Sequence, residues 1–240
     1  MKKSLSLTLL AMAGLIVFSI ASCGGSSQPQ AKAGIPEGTK QLAKANYSYD
    51  EEETAAPSKA EKAVAPVAGF KGFPVYTDAR SPDNHYIPAG YMGDYSDVKI
   101  EGACFDNPHS GTTCIKVTYS SAASNGARWA GVYWQSPANN WGDKKGGFDL
   151  TGAKKLVFWV RGAKGGERIE EFKLGGLTGL YPDSDIAGIG PVMLTQEWKQ
   201  YEIDLSGKDL SYISGGFCWS TNLDVNPEGA TFYLDDIKYE

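Results

Sequence analysis

Two adjacent carboxylates, Asp235-Asp236, stand near the end of the chain, and Asp78 precedes the stretch richest in strand-forming residues. Carboxylates gathered at one place suit calcium, which takes about six to eight oxygens at roughly 2.3 to 2.6 Å and accepts loop carbonyls beside Asp side chains. Asp94 and Asp97 are possible extra ligands. The plainer reading is that one Asp of the pair ends a strand in solvent, because neighbouring strand residues point to opposite faces.

A second constellation is aromatic and amide-rich, running Arg128-Trp129-Ala130-Gly131-Val132-Tyr133-Trp134-Gln135-Ser136-Pro137-Ala138-Asn139-Asn140-Trp141. Strand alternation puts Trp129, Gly131 and Tyr133 on one face and Ala130, Val132 and Trp134 on the other. Rings that pack on the C–H face of a pyranose, beside Gln135, Asn140 and Arg side chains that bond its hydroxyls, are what sugar recognition needs. Any single Trp is more often core than surface. Trp141 is the ring expected outside, since it sits among Asn139, Asn140, Gly142 and Asp143. Tyr86 and Tyr91, in the Pro/Gly-punctuated segment from Asn84 to Asp94, and Trp219 are secondary candidates.

Nucleophilic and hydrolytic chemistry find little support. Only His85 and His109 are present, with no Gly-x-Ser-x-Gly or His-Glu-x-x-His pattern. Glu167, Glu170 and Glu171 could include an acid/base pair, which needs carboxyls about 5 to 9.5 Å apart, a separation that sequence does not supply. Cys104 and Cys114 flank a turn-like loop, Phe105 to Thr113, so antiparallel neighbouring strands would bring them together as a disulfide, which in so short a loop contributes about 2 to 3 kcal/mol. Cys218, between Phe217 and Trp219, is then a buried free thiol.

The elements that must position these groups are strands. Runs of β-branched and aromatic residues separated by Gly, Pro, Asn and Asp predict strands near Val98–Cys104, Thr113–Tyr119, Arg128–Gln135, Lys155–Arg161, Arg168–Leu174, Trp198–Leu205, Gly216–Ser220 and Thr231–Tyr239. Alternation in Trp198–Leu205 turns Tyr201, Ile203 and Leu205 to one side and Gln200, Glu202 and Asp204 to the other. Leu156-Val157-Phe158-Trp159-Val160 is apolar on both faces and is expected to be a central strand covered on each side. About eight strands with many turns predict an all-β, two-sheet jelly-roll sandwich.

The order Lys155-Leu156-Val157-Phe158-Trp159-Val160-Arg161-Gly162, then Glu197-Trp198-Lys199-Gln200-Tyr201-Glu202-Ile203-Asp204-Leu205, then the closing Thr231-Phe232-Tyr233-Leu234-Asp235-Asp236-Ile237, resembles the jelly-roll carbohydrate-binding modules appended to glucanases and xylanases. The resemblance covers roughly residues 74 to 240. It implies a galactose-binding-like sandwich, non-catalytic glycan binding and a structural Ca2+, carried over best to Asp235, then to Asp78, with Asp236 and Asp94 as further ligands. Jelly-roll glucanases of the laminarinase type instead carry Glu-x-Asp-x-x-Glu, and the nearest stretch here, Glu202-Ile203-Asp204-Leu205-Ser206-Gly207, lacks the last Glu.

The N-terminus differs in kind. Met1-Lys2-Lys3, a mostly apolar run from Leu5 to Ile20 and then Ile20-Ala21-Ser22-Cys23 form a secretory signal, and the segment resembles a bacterial lipoprotein signal in which Cys23 is lipidated. Residues 1–22 are then removed. Residues 23–69 hold only two of the chain's 28 aromatics, Tyr47 and Tyr49, and an acidic run Asp50-Glu51-Glu52-Glu53, and are expected to be a disordered tether. As a coil, residues 24–69 span about 35 to 40 Å. Residues 70–240 hold 25 aromatics, all six Trp among them, and carry a net charge of −6 with no arginine cluster, which argues against nucleic acid. The expected protein is an exported monomer, lipid-anchored to the cell envelope, on the outer membrane in a Gram-negative cell. Its sandwich binds poly- or oligosaccharide through exposed aromatics. The alternatives are a small glycoside hydrolase or polysaccharide lyase on the same fold, and a structural or protein-binding envelope lipoprotein.

Overall fold

The computed structural model describes residues 69–240, and Cys23, the signal and most of the expected tether lie outside them. Thirteen strands run in order: β1 (Phe73–Tyr76), β2 (Ile87–Gly93), β3 (Val98–Cys104), β4 (Cys114–Tyr119), β5 (Trp129–Gln135), β6 (Lys155–Gly162), β7 (Arg168–Ile169), β8 (Glu171–Gly175), β9 (Ile186–Ile189), β10 (Val192–Met193), β11 (Lys199–Asp204), β12 (Gly215–Asn222) and β13 (Ala230–Tyr239). Apart from one 3-10 turn at Tyr95–Asp97 no helix occurs among the described residues.

Two antiparallel sheets form a sandwich of jelly-roll type. One has the order β11-β6-β13-β4-β3, with β1 also paired to β13, and the other the order β2-β5-β12-β8-β9. The ten-residue β13 serves two partners on one flank: Ala230 to Leu234 pair with β4, and Ile237 and Tyr239 pair with β1. The ladder to β6 shifts register between Asp235 and Lys238, and Asp236 takes a left-handed φ of 48°. That bulge leaves the two carboxylates at the fork between β1 and β4.

The expected strands all form, with boundaries moved by a residue or two, except that Arg168–Leu174 breaks at Glu170 into β7 and β8. The alternation in β11 holds, with Ile203 and Leu205 in the core. So does the double burial of β6, where Leu156, Phe158 and Val160 face the core and Val157 is buried on the other side. Strand β2 was hidden by Pro88, Gly90 and Gly93. A proline fits at a sheet edge or bulge, and β2 is the edge strand, with a register shift between Pro88 and Gly90. Between the sheets lie Trp134, Phe158, Phe172, Phe217, Trp219, Phe232 and Tyr239, all fully buried.

Candidate functional site

Cross-strand partners share a face, so register alone assembles the outer side of the five-stranded sheet. One row across it is Gly90, Tyr133, Cys218, Lys173 and Gly188. The next is Met92, Gly131, Ser220 and Glu171, and the last is Trp129 and Asn222. The middle row is shallow because Gly131 has no side chain. A Cβ there would lie 2.7 Å from the Trp219 carbonyl oxygen and 3.0 Å from Met92 Cε.

Rings close both ends of this floor. Trp129 begins β5 and is 40% exposed. At the other end, about 13 Å along β5 at the usual strand rise, the Tyr133 ring is covered. Trp141 meets it edge-on at 6.1 Å between centroids, and Lys173 Nζ stands 5.7 Å from its centre. The Tyr133 hydroxyl donates to the Gly175 carbonyl at 3.1 Å, and burial raises its pKa far above the ordinary phenol value. Trp141 is half-buried, packed over Tyr133, Leu177 and Cys218. Beside the floor, Lys173 and Glu171 form an ion pair of 2.8 Å. A hollow of about 360 Å³ lined by Glu170, Glu171, Gly188, Ile189 and Gly190 opens at that edge.

Two residues foreseen as ligands for sugar are fully buried. Asn140 is fully buried. Its amide donates to the Lys144 carbonyl at 3.0 Å and its carbonyl accepts from the Gly142 and Lys144 amides, which shapes the turn that carries Trp141. Gln135 is fully buried at the end of β5, and neither its amide nitrogen nor its oxygen has a hydrogen-bond partner. Three of the aromatics face inward. Trp219 stacks edge-on against Phe232 at 5.1 Å, Tyr86 is buried with its hydroxyl donating to the Ile213 carbonyl, and Tyr91 packs against the core. Of the six rings singled out from the sequence, Trp129, Trp141 and the covered Tyr133 therefore share the face. Met92, Ser220 and Lys173 were missed, and Glu171 was foreseen only as an acid/base candidate, because only the strand register shows them to be neighbours.

The carboxylates expected to hold calcium are occupied by hydrogen-bond donors. Asp78 accepts from the amides of Ala79 and Thr112, both at 2.9 Å, and from the hydroxyls of Thr112 and Thr113, and these bonds lower its pKa. Asp235 is buried and accepts from the amides of His109, Ser110 and Asp236, yet burial still pushes it up to about 6. Asp236 takes His109 Nδ1 at 2.7 Å and the Ser110 hydroxyl at 3.0 Å. Asp94 is fully buried and accepts from the amides of Asn125, Ala127 and Arg128, while Asp97 accepts from the amide and hydroxyl of Ser124. Such N–H and O–H donors satisfy an anion, whereas a calcium site is built from converging oxygens. Among the described residues no three His, Cys, Asp or Glu side chains converge on a point that could hold a metal ion. The first and last strands, β1 and β13, pair, and the segment from His109 to Thr113 lies between Asp78 and Asp235 and donates to both.

That same segment covers the outer face of the six-stranded sheet. His109 stacks on Trp159 at 3.7 Å, Trp198 Nε1 donates to the Asn107 carbonyl, and Arg161 lies over Tyr233. The rings of Trp159, Trp198 and Tyr233 thus hold a loop in place. At its base Cys104 and Cys114 are register partners, as their proposed pairing requires, and both stand as free thiols. A larger hollow of about 570 Å³ beside Asp78, lined also by Arg80, Ser81 and Phe105, lies at this loop and away from the aromatic floor.

The three glutamates named from the sequence differ in their partners, and Glu167 keeps one buried carboxylate oxygen without a hydrogen-bond partner. Glu167 is buried and accepts from the Lys164 amide at 2.8 Å, Glu170 pairs with Arg168 at 2.7 Å, and Glu171 is held by Lys173.

No protein-family model matches this chain, and no curated protein does. Among solved structures it is similar to a family 30 carbohydrate-binding module at 15% identity and a TM-score of 0.48, covering 70% of this chain and 87% of that one. It is also similar to the family 30 module of a cellulosomal cellulase of Clostridium thermocellum, at 14% identity and a TM-score of 0.49, covering 71% and 97%. A third is the family 11 module of another cellulosomal cellulase of that organism, at 15% identity and a TM-score of 0.42, covering 68% and 92%. At these identities the likeness is one of architecture, the two-sheet sandwich described above.

Proposed function

We propose that this chain is a non-catalytic glycan-binding lipoprotein, exported, anchored to the cell envelope through Cys23, and binding poly- or oligosaccharide on the outer face of its five-stranded sheet. The observation that carries the reading is the glycine-flattened floor between Trp129 and Trp141, bordered by the charged Glu171–Lys173 pair. A pyranose is flat and amphipathic, so it needs a shallow apolar bed with ring faces at intervals and polar groups at the edge. The floor has that form, and its ends are far enough apart for a chain of several sugars to reach both rings. The reading takes the floor as non-catalytic, with Glu171 held by Lys173 at its edge and Glu170 paired with Arg168.

Affinity electrophoresis of the full chain through gels holding soluble β-glucan, xylan, galactomannan or alginate tests the reading. Retardation is expected in at least one gel, to be lost in Trp129→Ala with the melting temperature unchanged. Retardation that survives Trp129→Ala and Trp141→Ala together would remove the floor as the site. The anchor is tested separately: Cys23→Ser is expected to move the protein from the membrane fraction to the soluble one, and persistence in the membrane would refute lipidation.

A further inference from the structure

The loop between β8 and β9 ends in two apolar side chains that the sandwich does not use. Leu180 is 75% exposed and Tyr181 37% exposed, while Leu177 at the loop's base is buried against Tyr133 and Cys218 on the floor itself. Exposed apolar groups are ordinary when single. These two stand together on a loop whose position is fixed with unusual care.

Its two ends are tied to each other and to the sheet. The Asp183 amide donates to the Leu177 carbonyl at 2.9 Å, and the Asp183 carboxylate accepts from the Leu177 and Ser214 amides at 3.0 and 2.5 Å. The excursion between them, Thr178 to Pro182, is locked onto the turn that carries Trp141. The Tyr181 amide donates to the Gly142 carbonyl at 2.8 Å. The two backbones meet without side chains, since a Cβ on Gly142 would lie 2.1 Å from the Thr178 carbonyl oxygen and one on Gly179 would lie 2.7 Å from the Gly142 carbonyl oxygen. Both glycines also hold left-handed φ values, 87° and 138°. The Trp141 turn and the Leu180–Tyr181 tip therefore form one unit, placed at the end of the floor opposite Trp129.

We propose that Leu180 and Tyr181 extend the sugar-binding floor past Trp141, giving it a further subsite for the apolar face of a pyranose in a chain long enough to cross from Trp129. This rests on the glycan reading of the same face. A fixed tip suits that role because a backbone already held in place need not be ordered on contact.

The test uses the full chain and whichever soluble polysaccharide retards it. Tyr181→Ala, at an exposed tip, is expected to leave the melting temperature unchanged and to weaken retardation by about three- to tenfold. Tyr181→Phe should retain it, and Leu180→Ser should weaken it less. Weakening should be marked for the polymer and absent for oligosaccharides too short to reach past Trp141. If Trp129→Ala abolishes retardation while Tyr181→Ala and Leu180→Ser leave it unchanged, this subsite is refuted and the floor stands. If the wild-type chain is retarded by none of the polysaccharides, the glycan reading itself falls and the subsite with it.

Discussion

The Arg161 guanidinium lies over the Tyr233 ring, 3.7 Å from its centre. The two residues are cross-strand partners on β6 and β13, and Asp106 joins them: its carbonyl accepts from Arg161 Nη2 at 2.7 Å and its carboxylate from the Tyr233 hydroxyl at 2.7 Å. A planar cation on a ring face, desolvated and hydrogen-bonded at its rim, is worth about 2 kcal/mol or more. Arg161→Ala should therefore destabilise the fold by about 2 to 4 kcal/mol. Arg161→Lys should recover less than half of that, since an ammonium cannot lie flat on the ring. Urea unfolding measures both, and a lysine variant as stable as the wild type would show that charge alone matters.

Stability should rise as the solution is made mildly acidic. Asp235 is pushed up to about 6 by burial first and by the neighbouring Asp236 charge, and burial also raises Asp183. Between their folded values and the ordinary carboxylate value near 3.8, the folded state binds more protons than the unfolded one, so stability increases as pH falls through that window. Asp78 has the opposite sign. The Thr113 and Thr112 bonds hold it below its ordinary value, so the stability it contributes is lost below about pH 4. Thermal midpoints are expected to climb by a few degrees from pH 7.5 to about 5 and to fall again below about 4. A midpoint that is flat or falling from pH 7.5 to 5 would contradict the assignment.

How far the sequence leads depends on the scale of the signal. Strand identity is local: the alternation of β11 and the unbroken apolar run of β6 follow from hydrophobic period alone, and both hold. Strand β2 forms as well, but its one proline and its glycines belong to an edge and a bulge, which look like a loop until the neighbours are known. The floor was half legible. Alternation put Trp129, Gly131 and Tyr133 on one face, while Trp219, on β12, could not be turned inward or outward without its register to β5. The carboxylates were least legible, because the groups an Asp meets are decided by the path of a distant loop, here His109 to Thr113.

Gln135 buries a primary amide without a partner at the end of β5. Leaving such a group unpaired costs about 1 to 3 kcal/mol. Replacing it with an apolar side chain of similar length removes the cost, so Gln135→Met should raise stability by about 1 kcal/mol without altering glycan retardation. A loss of retardation with the melting temperature intact would instead make Gln135 a ligand contact.

Cys104 and Cys114 face each other across β3 and β4, and burial, then the neighbouring Cys104, pushes the Cys114 thiol up to about 12. A thiol held so high reacts slowly with oxidant, so pairing should need an exported, oxidising setting or a catalyst. Intact mass after alkylation under non-reducing conditions should then show Cys218 as the one unpaired thiol of the three sandwich cysteines. Cys104→Ser should cost about 2 to 3 kcal/mol in the oxidised protein and much less in the reduced one. Equal losses in both would show that the pair acts through packing alone.

Asp94 governs where Trp129 stands. The Asp94 amide donates to the Trp129 carbonyl at 2.7 Å, and its carboxylate gathers the amides of Asn125, Ala127 and Arg128, the last held at a left-handed φ of 61°. These bonds bring the chain into β5 with the indole outward, so Asp94 is a positioning residue for the floor. Asp94→Ala leaves three part-buried amides without that acceptor and should cost about 1 to 3 kcal/mol. Asp94→Asn keeps one acceptor oxygen and should cost less. Where the variants remain folded, glycan retardation should weaken in both although neither touches the sugar, and the Trp129 contribution to fluorescence should shift with it. The informative comparison is the double variant. If Asp94 works through Trp129, Asp94→Asn should weaken binding no further once Trp129 is Ala. An equal further loss would mean that Asp94 acts on the face by another route.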